Sequence, residues 1–129
     1  MENSKILVVD DNPDNVELVK LLLEFEGFEV RTADSASEAF VVLKTFDPAL
    51  ILMDVQLPEM DGLELTRQLR SQPQWRDTLI VALSAYAMKQ DQENARAAGC
   101  DGYITKPIDT RSFPQQVCEF LERCPVNVA

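Results

Sequence analysis

The feature that most constrains this chain is its alternation. Five short apolar runs recur along it, each followed by a segment with helical spacing. They are "KILVV" (5–9), "FEVRT" (28–32), "ALILMD" (49–54), "LIVALS" (79–84) and "GYIT" (102–105). Their length and their branched and aromatic residues suit strands. The segments between them carry helix punctuation. Asn12 caps a first helix with Pro13 at its first position, and Gly27 closes it. Val16, Val19 and Leu23 form its apolar stripe, with Leu22 beside it. Ser35 and Glu38 make a capping box, and Ala36, Ala39, Phe40 and Leu43 follow one helix face. Asp61 with Glu64 starts a third helix that turns Leu65 and Leu69 inward, and residues 72–78, with Pro73 and Trp75, form a plain connection. Residues 88–98 make a polar, alanine-rich helix ended by Gly99, short of apolar anchors and so suited to movement. Lys106-Pro107 ends the fifth strand. The last helix opens near Ser112, has Pro114 in its first turn, and runs to about Arg123 with Phe113, Val117, Phe120 and Leu121 inward.

Strands separated by helices imply βαβ units and a parallel sheet. Right-handed crossovers place helices on both faces. Strands buried on both sides read as unbroken apolar runs, as Ile6–Val9 and Leu50–Met53 do. The expected architecture is an open, doubly wound α/β sheet. A length of 129 residues fits one domain, taken as 1–124 with a short tail, 125–129.

Charge and cysteine usage exclude several classes. A net charge of −10 argues against a nucleic-acid face or an anionic membrane surface. With no histidine and no C-x-x-C pair, the three cysteines (Cys100, Cys118, Cys124) provide no zinc site and no disulfide framework, so a reducing cytoplasm is expected. The polar N-terminal residues do not read as a signal peptide, so none is expected, and no apolar stretch approaches the length of a bilayer span.

In such folds, ligands bind beyond the carboxyl ends of the strands. Strand one ends in Asp10-Asp11, strand three in Asp54, strand four in Ser84 followed by Ala85, and strand five near Thr105-Lys106. Parallel strands bring these ends to one edge. Crowded carboxylates repel one another, and a divalent cation would neutralise them. Hard oxygen ligands favour Mg2+. Asp54, held on a central strand, is the best-placed nucleophile, and a carboxylate that attacks a phosphoryl group makes an acyl phosphate. Lys106 and loop N–H groups supply positioning and charge neutralisation. Each residue also has a plainer reading. Asp10-Asp11 suits a helix N-terminus, Asp54 a turn, Lys106 a solvated surface, Ser84 a strand end and Tyr103 a half-buried strand. Pro58 and Gly62 shape the loop after Asp54.

Taken in order, "VVDDN", "LMDVQLPEMDG", "LSA", "GYI" and "TKP" make the sequence resemble the receiver domain of two-component response regulators over residues 4–123. It is most similar to single-domain regulators and hybrid-kinase receiver modules. The resemblance implies a flavodoxin-like five-stranded parallel sheet of order 2-1-3-4-5 with five helices. It implies phosphorylation of Asp54, with Asp11 a Mg2+ ligand, Asp10 holding a metal-bound water and Gln56 offering its backbone carbonyl. It also implies that Lys106 and the backbone of Gln56 and Ala85 contact the phosphoryl group. Ser84 moves to bond that group, Tyr103 swings inward, and Pro107 follows a cis peptide bond. Gln56 and Tyr86 occupy positions that tune dephosphorylation, and Tyr86 is expected to shield the acyl phosphate from water. The implied partners are a histidine kinase or histidine phosphotransfer protein and a downstream protein. The latter meets the face built by helix 88–98, strand 102–105 and the last helix, on a monomer or weak dimer.

Three rival functions follow from the fold. An aspartate-nucleophile phosphatase wants a second Asp two residues after the nucleophile, where this chain has Gln56. A flavin or nucleotide binder wants a glycine-rich loop after strand one, which is absent from this sequence. A docking module that needs no phosphorylation would have no use for the set Asp11, Asp54, Ser84 and Lys106.

Overall fold

A computed structural model describes residues 5–57, 60–85 and 88–122. Its strands are β1 (Lys5–Val9), β2 (Glu29–Ala33), β3 (Leu50–Asp54), β4 (Leu79–Ser84) and β5 (Gly102–Thr105). Its helices are α1 (Pro13–Phe25), α2 (Ala36–Leu43), α3 (Gly62–Arg70), α4 (Lys89–Ala98) and α5 (Phe113–Glu122). All strand pairs are parallel, in the order β2-β1-β3-β4-β5.

Side-chain alternation divides the core between the two faces of the sheet. Ile6, Val8, Leu50, Leu52, Val81 and Leu83 point one way and meet Val19 and Leu23 of α1 and Phe113, Val117 and Leu121 of α5. Leu7, Val9, Ile51, Met53, Ile80 and Ala82 point the other way and meet Ala39 and Leu43 of α2, Leu65 and Leu69 of α3 and Ala95 of α4. Leu50 to Met53 are buried completely or nearly so, and each such side chain contributes about 1.5–3 kcal/mol by burial. That anchoring holds the end of β3 still. The stripe expected on α1 is only part of its apolar surface, since Leu21 and Phe25 stay exposed.

The caps explain where elements start and stop. Asn12 Oδ1 accepts from Asn15 N–H at 3.1 Å, and Ser35 Oγ accepts from Glu38 N–H at 3.2 Å. Strand β2 starts one residue later than the sequence suggested. Phe28 N–H donates to Leu23 O and Gly27 N–H to Glu24 O, a Schellman closure that uses the left-handed φ of 96° at Gly27. Phe28 therefore completes α1 and does not open the strand. Residues 73–75 are a 3-10 turn, not a plain connection, and it buries Trp75 at the amino end of β4. The Lys106-Pro107 peptide is cis.

Candidate functional site

The register places the strand ends side by side. Val9 pairs with Met53, Asp54 with Leu83, and Ser84 with Thr105. The residues that follow or end these strands therefore meet at one edge. Asp10 is fully buried, Asp54 is 5% exposed, and Asp11 is exposed. Carboxylate oxygens of all three lie within 4.8 Å of one another. The Lys106 ammonium reaches between two of them, 3.1 Å from Asp54 Oδ2 and 3.3 Å from Asp10 Oδ2. Asp54 Oδ1 accepts from the Gln56 N–H at 3.0 Å, and Asp10 Oδ1 from the Asn12 N–H at 3.0 Å.

Burial is the largest influence on Asp54 and pushes its carboxyl above the ordinary aspartate range. The Gln56 N–H pulls it back and Asp10 pushes it further up. On Lys106, burial acts downward, but the charge of Asp10 and the bond to Asp54 outweigh it, so the ammonium is held above the usual lysine range. Lys106 leaves the three carboxylates only partly neutralised. The donor set is all hard oxygen, two of its members are buried, and a divalent cation fits that demand.

Ser84 and the residues that follow β3 and β4 stand at the same edge. Ser84 is buried at the end of β4, with its backbone carbonyl taken by the Lys106 N–H at 2.7 Å. Gln56 and Ala85 are exposed on the loops after β3 and β4. Tyr103 is half-buried on β5, against the core shared with α2, α3 and α4. Tyr86, Pro58 and the tail 125–129 lie outside the described residues. Cys100 is buried, its thiol pushed up by that burial, so it is not held as a reactive thiolate.

Three residues make contacts that the sequence does not reveal, two at the site and one at the opposite end of the sheet. The Asn15 side-chain amide donates to Asp10 Oδ2. Its signal was its place in the first turn after a cap, which alone says nothing of a carboxylate. Gly62 packs on the backbone of Asp54, where an added Cβ would lie 2.2 Å from the Asp54 carbonyl oxygen, and its N–H donates to Val55 O at 2.8 Å. Arg70 ties the far end together. Its guanidinium donates to the carbonyls of Gly99, Trp75, Arg76 and Thr78 and pairs with Asp101 Oδ2 at 2.6 Å.

A doubly wound sheet with acids and a lysine at its carboxyl edge defines a class of signalling module, and comparison with known proteins places the chain within it. The response regulator receiver domain family model matches residues 6–117, and the chain belongs to that family. It is similar to the polar-differentiation response regulator DivK of Brucella ovis, 39% identical over 116 residues, covering 90% of this chain and 94% of that protein. Among solved structures it is similar to a CheY-like receiver domain protein of Methanospirillum hungatei (30% identity, TM-score 0.85, 95% of this chain and 96% of that one). It is also similar to the receiver domain of a sensor histidine kinase of Pseudomonas aeruginosa, solved with a magnesium ion in its active site cleft. That match has 32% identity and a TM-score of 0.81, and covers 95% and 97% of the two chains. The protein is thus a receiver domain of two-component signalling.

Proposed function

We propose that Asp54 accepts a phosphoryl group from the phosphohistidine of a histidine kinase or histidine phosphotransfer protein, and that the modified edge changes a binding surface. The observation that carries this reading is the Lys106 ammonium lying between the carboxylates of Asp54 and Asp10 at the sheet edge. An Asp54 oxygen attacks phosphorus, the P–N bond breaks, and its electron pair leaves on the imidazole nitrogen, which takes up a proton. Asp10, Asp11, Asp54 and the Gln56 backbone carbonyl would hold Mg2+. When bound, it supplies charge neutralisation for the phosphoryl oxygens and keeps Asp54 ionised.

The chain's own residues do the rest. Lys106 turns from the bare carboxylates to the phosphoryl group, and the N–H groups of Gln56 and Ala85 donate to its oxygens. Ser84 follows with its hydroxyl, and Tyr103 moves further inward. The readout face is α4, β5 and α5. Support for a mobile α4 comes from its composition and its cap. Only Ala95 and Ala98 are buried on it, and Met88 supplies no side-chain cap. Hydrolysis of the acyl phosphate resets the module, at a rate that Gln56 and Tyr86 tune.

The test is incubation with acetyl phosphate and Mg2+, followed by intact mass. One phosphoryl adduct is expected, absent in Asp54→Ala. No adduct with any small phosphodonor or with phosphohistidine protein would instead leave a docking module on the same fold.

A further inference from the structure

The buried Asp10 carboxylate has more partners than a lysine and a cation site require. Asp10 Oδ1 accepts from the Asn12 N–H at 3.0 Å. Asp10 Oδ2 accepts from two donors, the Lys106 ammonium at 3.3 Å and the Asn15 side-chain amide. Asn15 is itself fixed, because its backbone N–H donates to Asn12 Oδ1 at 3.1 Å. The first turn of α1 therefore grips the Asp10 carboxylate by both oxygens, through one backbone and one side-chain donor.

The second grip matters because Lys106 is shared. It lies slightly nearer Asp54 than Asp10. On the reading given above, it swings to a phosphoryl group on Asp54. Without Asn15, that movement would strip Oδ2 of a fully buried carboxylate of its hydrogen-bond donor, a costly state. A bare Oδ2 would also hold the ammonium back from Asp54 and let the carboxylate plane rotate. We infer that Asn15 is a positioning residue for Asp10. It keeps both carboxylate oxygens partnered while Lys106 works on Asp54, and it holds Asp10 in the orientation in which the acidic cluster takes up a divalent cation. The inference rests on the reading of Asp10, Asp11 and Asp54 as a Mg2+ site.

Supporting shells of this kind change metal affinity by about 10- to 100-fold when they are removed. The substitution is suitable for a test because α1 is capped by Asn12, and alanine is a better helix former than asparagine, so the helix survives. Mg2+ binding to the whole unphosphorylated chain is measured by titration calorimetry for wild type, Asn15→Ala, Asn15→Leu and the exposed-acid control Glu17→Ala. Asn15→Ala and Asn15→Leu are expected to bind Mg2+ about tenfold more weakly, with Glu17→Ala unchanged within twofold. The second readout is Asp54 phosphorylation by acetyl phosphate as a function of Mg2+. The half-saturating Mg2+ concentration rises in the Asn15 variants while the rate at saturation stays within about twofold. A merely structural role would raise that concentration and lower the rate at saturation together. Mg2+ affinity within twofold of wild type in both Asn15 variants overturns the role of Asn15 and leaves the cation site standing. A wild-type chain that binds no Mg2+ at millimolar concentration overturns both.

Discussion

Gly62→Ala is a small change with a large expected effect. Gly62 is the first residue of α3 and is buried against the turn that follows the central strand. Its φ is not in the left-handed region, so alanine meets no backbone penalty there. The obstacle is contact alone. An ideal Cβ would lie 2.2 Å from Asp54 O, 3.0 Å from Asp54 C and 3.0 Å from Val55 Cα. All three are backbone atoms, and no side chain can rotate away. Restoring ordinary van der Waals distance requires the β3–α3 turn and the start of α3 to part by about 1 Å. The Gly62 N–H to Val55 O bond of 2.8 Å stretches with them. Overpacking of this kind costs about 3 kcal/mol. The helix propensity of alanine over glycine returns up to about 1 kcal/mol. A net loss of about 2 kcal/mol is expected, which for a domain of this size lowers Tm by roughly 6–10 °C. The displaced peptide is the one that carries the Asp54 carboxylate. A misplacement of about 1 Å costs on the order of 100-fold in rate. Urea denaturation measures the first effect, and the rate of Mg2+-dependent phosphorylation by acetyl phosphate measures the second. A variant within 0.5 kcal/mol of wild type (the ~0.5 kcal/mol scatter of neutral surface changes) and with an unchanged rate would refute the argument that Gly62 seats Asp54.

The remaining predictions concern charge and packing. Asp54→Asn removes a carboxyl that burial pushes upward. A raised acid favours the fold while protonated and loses that contribution as pH rises through its folded-state pKa. Without Mg2+, the stability of the variant relative to wild type should therefore grow as pH climbs from about 4 and then level off. Urea midpoints across that range check it, and a difference that does not vary with pH counts against it. Arg70→Ala should cost about 2–4 kcal/mol, because four carbonyls and Asp101 lose a partly buried donor. Arg70→Lys should recover less than half of that in the same denaturation assay, since an ammonium cannot serve the same fork. Gly102→Ala drives a Cβ to 2.3 Å from Phe120 Cε1, a half-buried ring that must shift to admit it. A loss of about 1–2 kcal/mol is expected, and the loss should shrink when Phe120→Ala is made in the same chain, a coupling that a double-mutant cycle reads directly.

What was legible in the sequence, and what was not, divides along the range of the interactions. Burial on both faces leaves an unbroken apolar run such as Leu50–Met53, and a parallel sheet puts whatever ends each run at one edge. Asp10, Asp54, Ser84 and Lys106 could therefore be placed together from residue order alone. Local caps were legible for the same reason, since Asn12 and Ser35 act on residues three positions away. Strand β2 was misplaced by one residue because an aromatic beside a strand pattern looks like strand. The Phe28 N–H is instead spent on the end of α1. Tertiary supports, at the site and at the opposite end of the sheet, leave no such pattern. Arg70 acts on residues 29 and 31 positions away. Gly62 matters through a close approach that no composition or period records. Asn15 looks like one more polar residue in a first turn until the fold sets the Asp10 carboxylate above it. Sequence order thus specifies which charged groups meet at the edge, because topology alone decides that. How firmly each is held depends on neighbours that only the packed chain selects. In this chain those neighbours are Asn15, which donates to the Asp10 carboxylate, and Gly62, which lets α3 close on the Asp54 backbone.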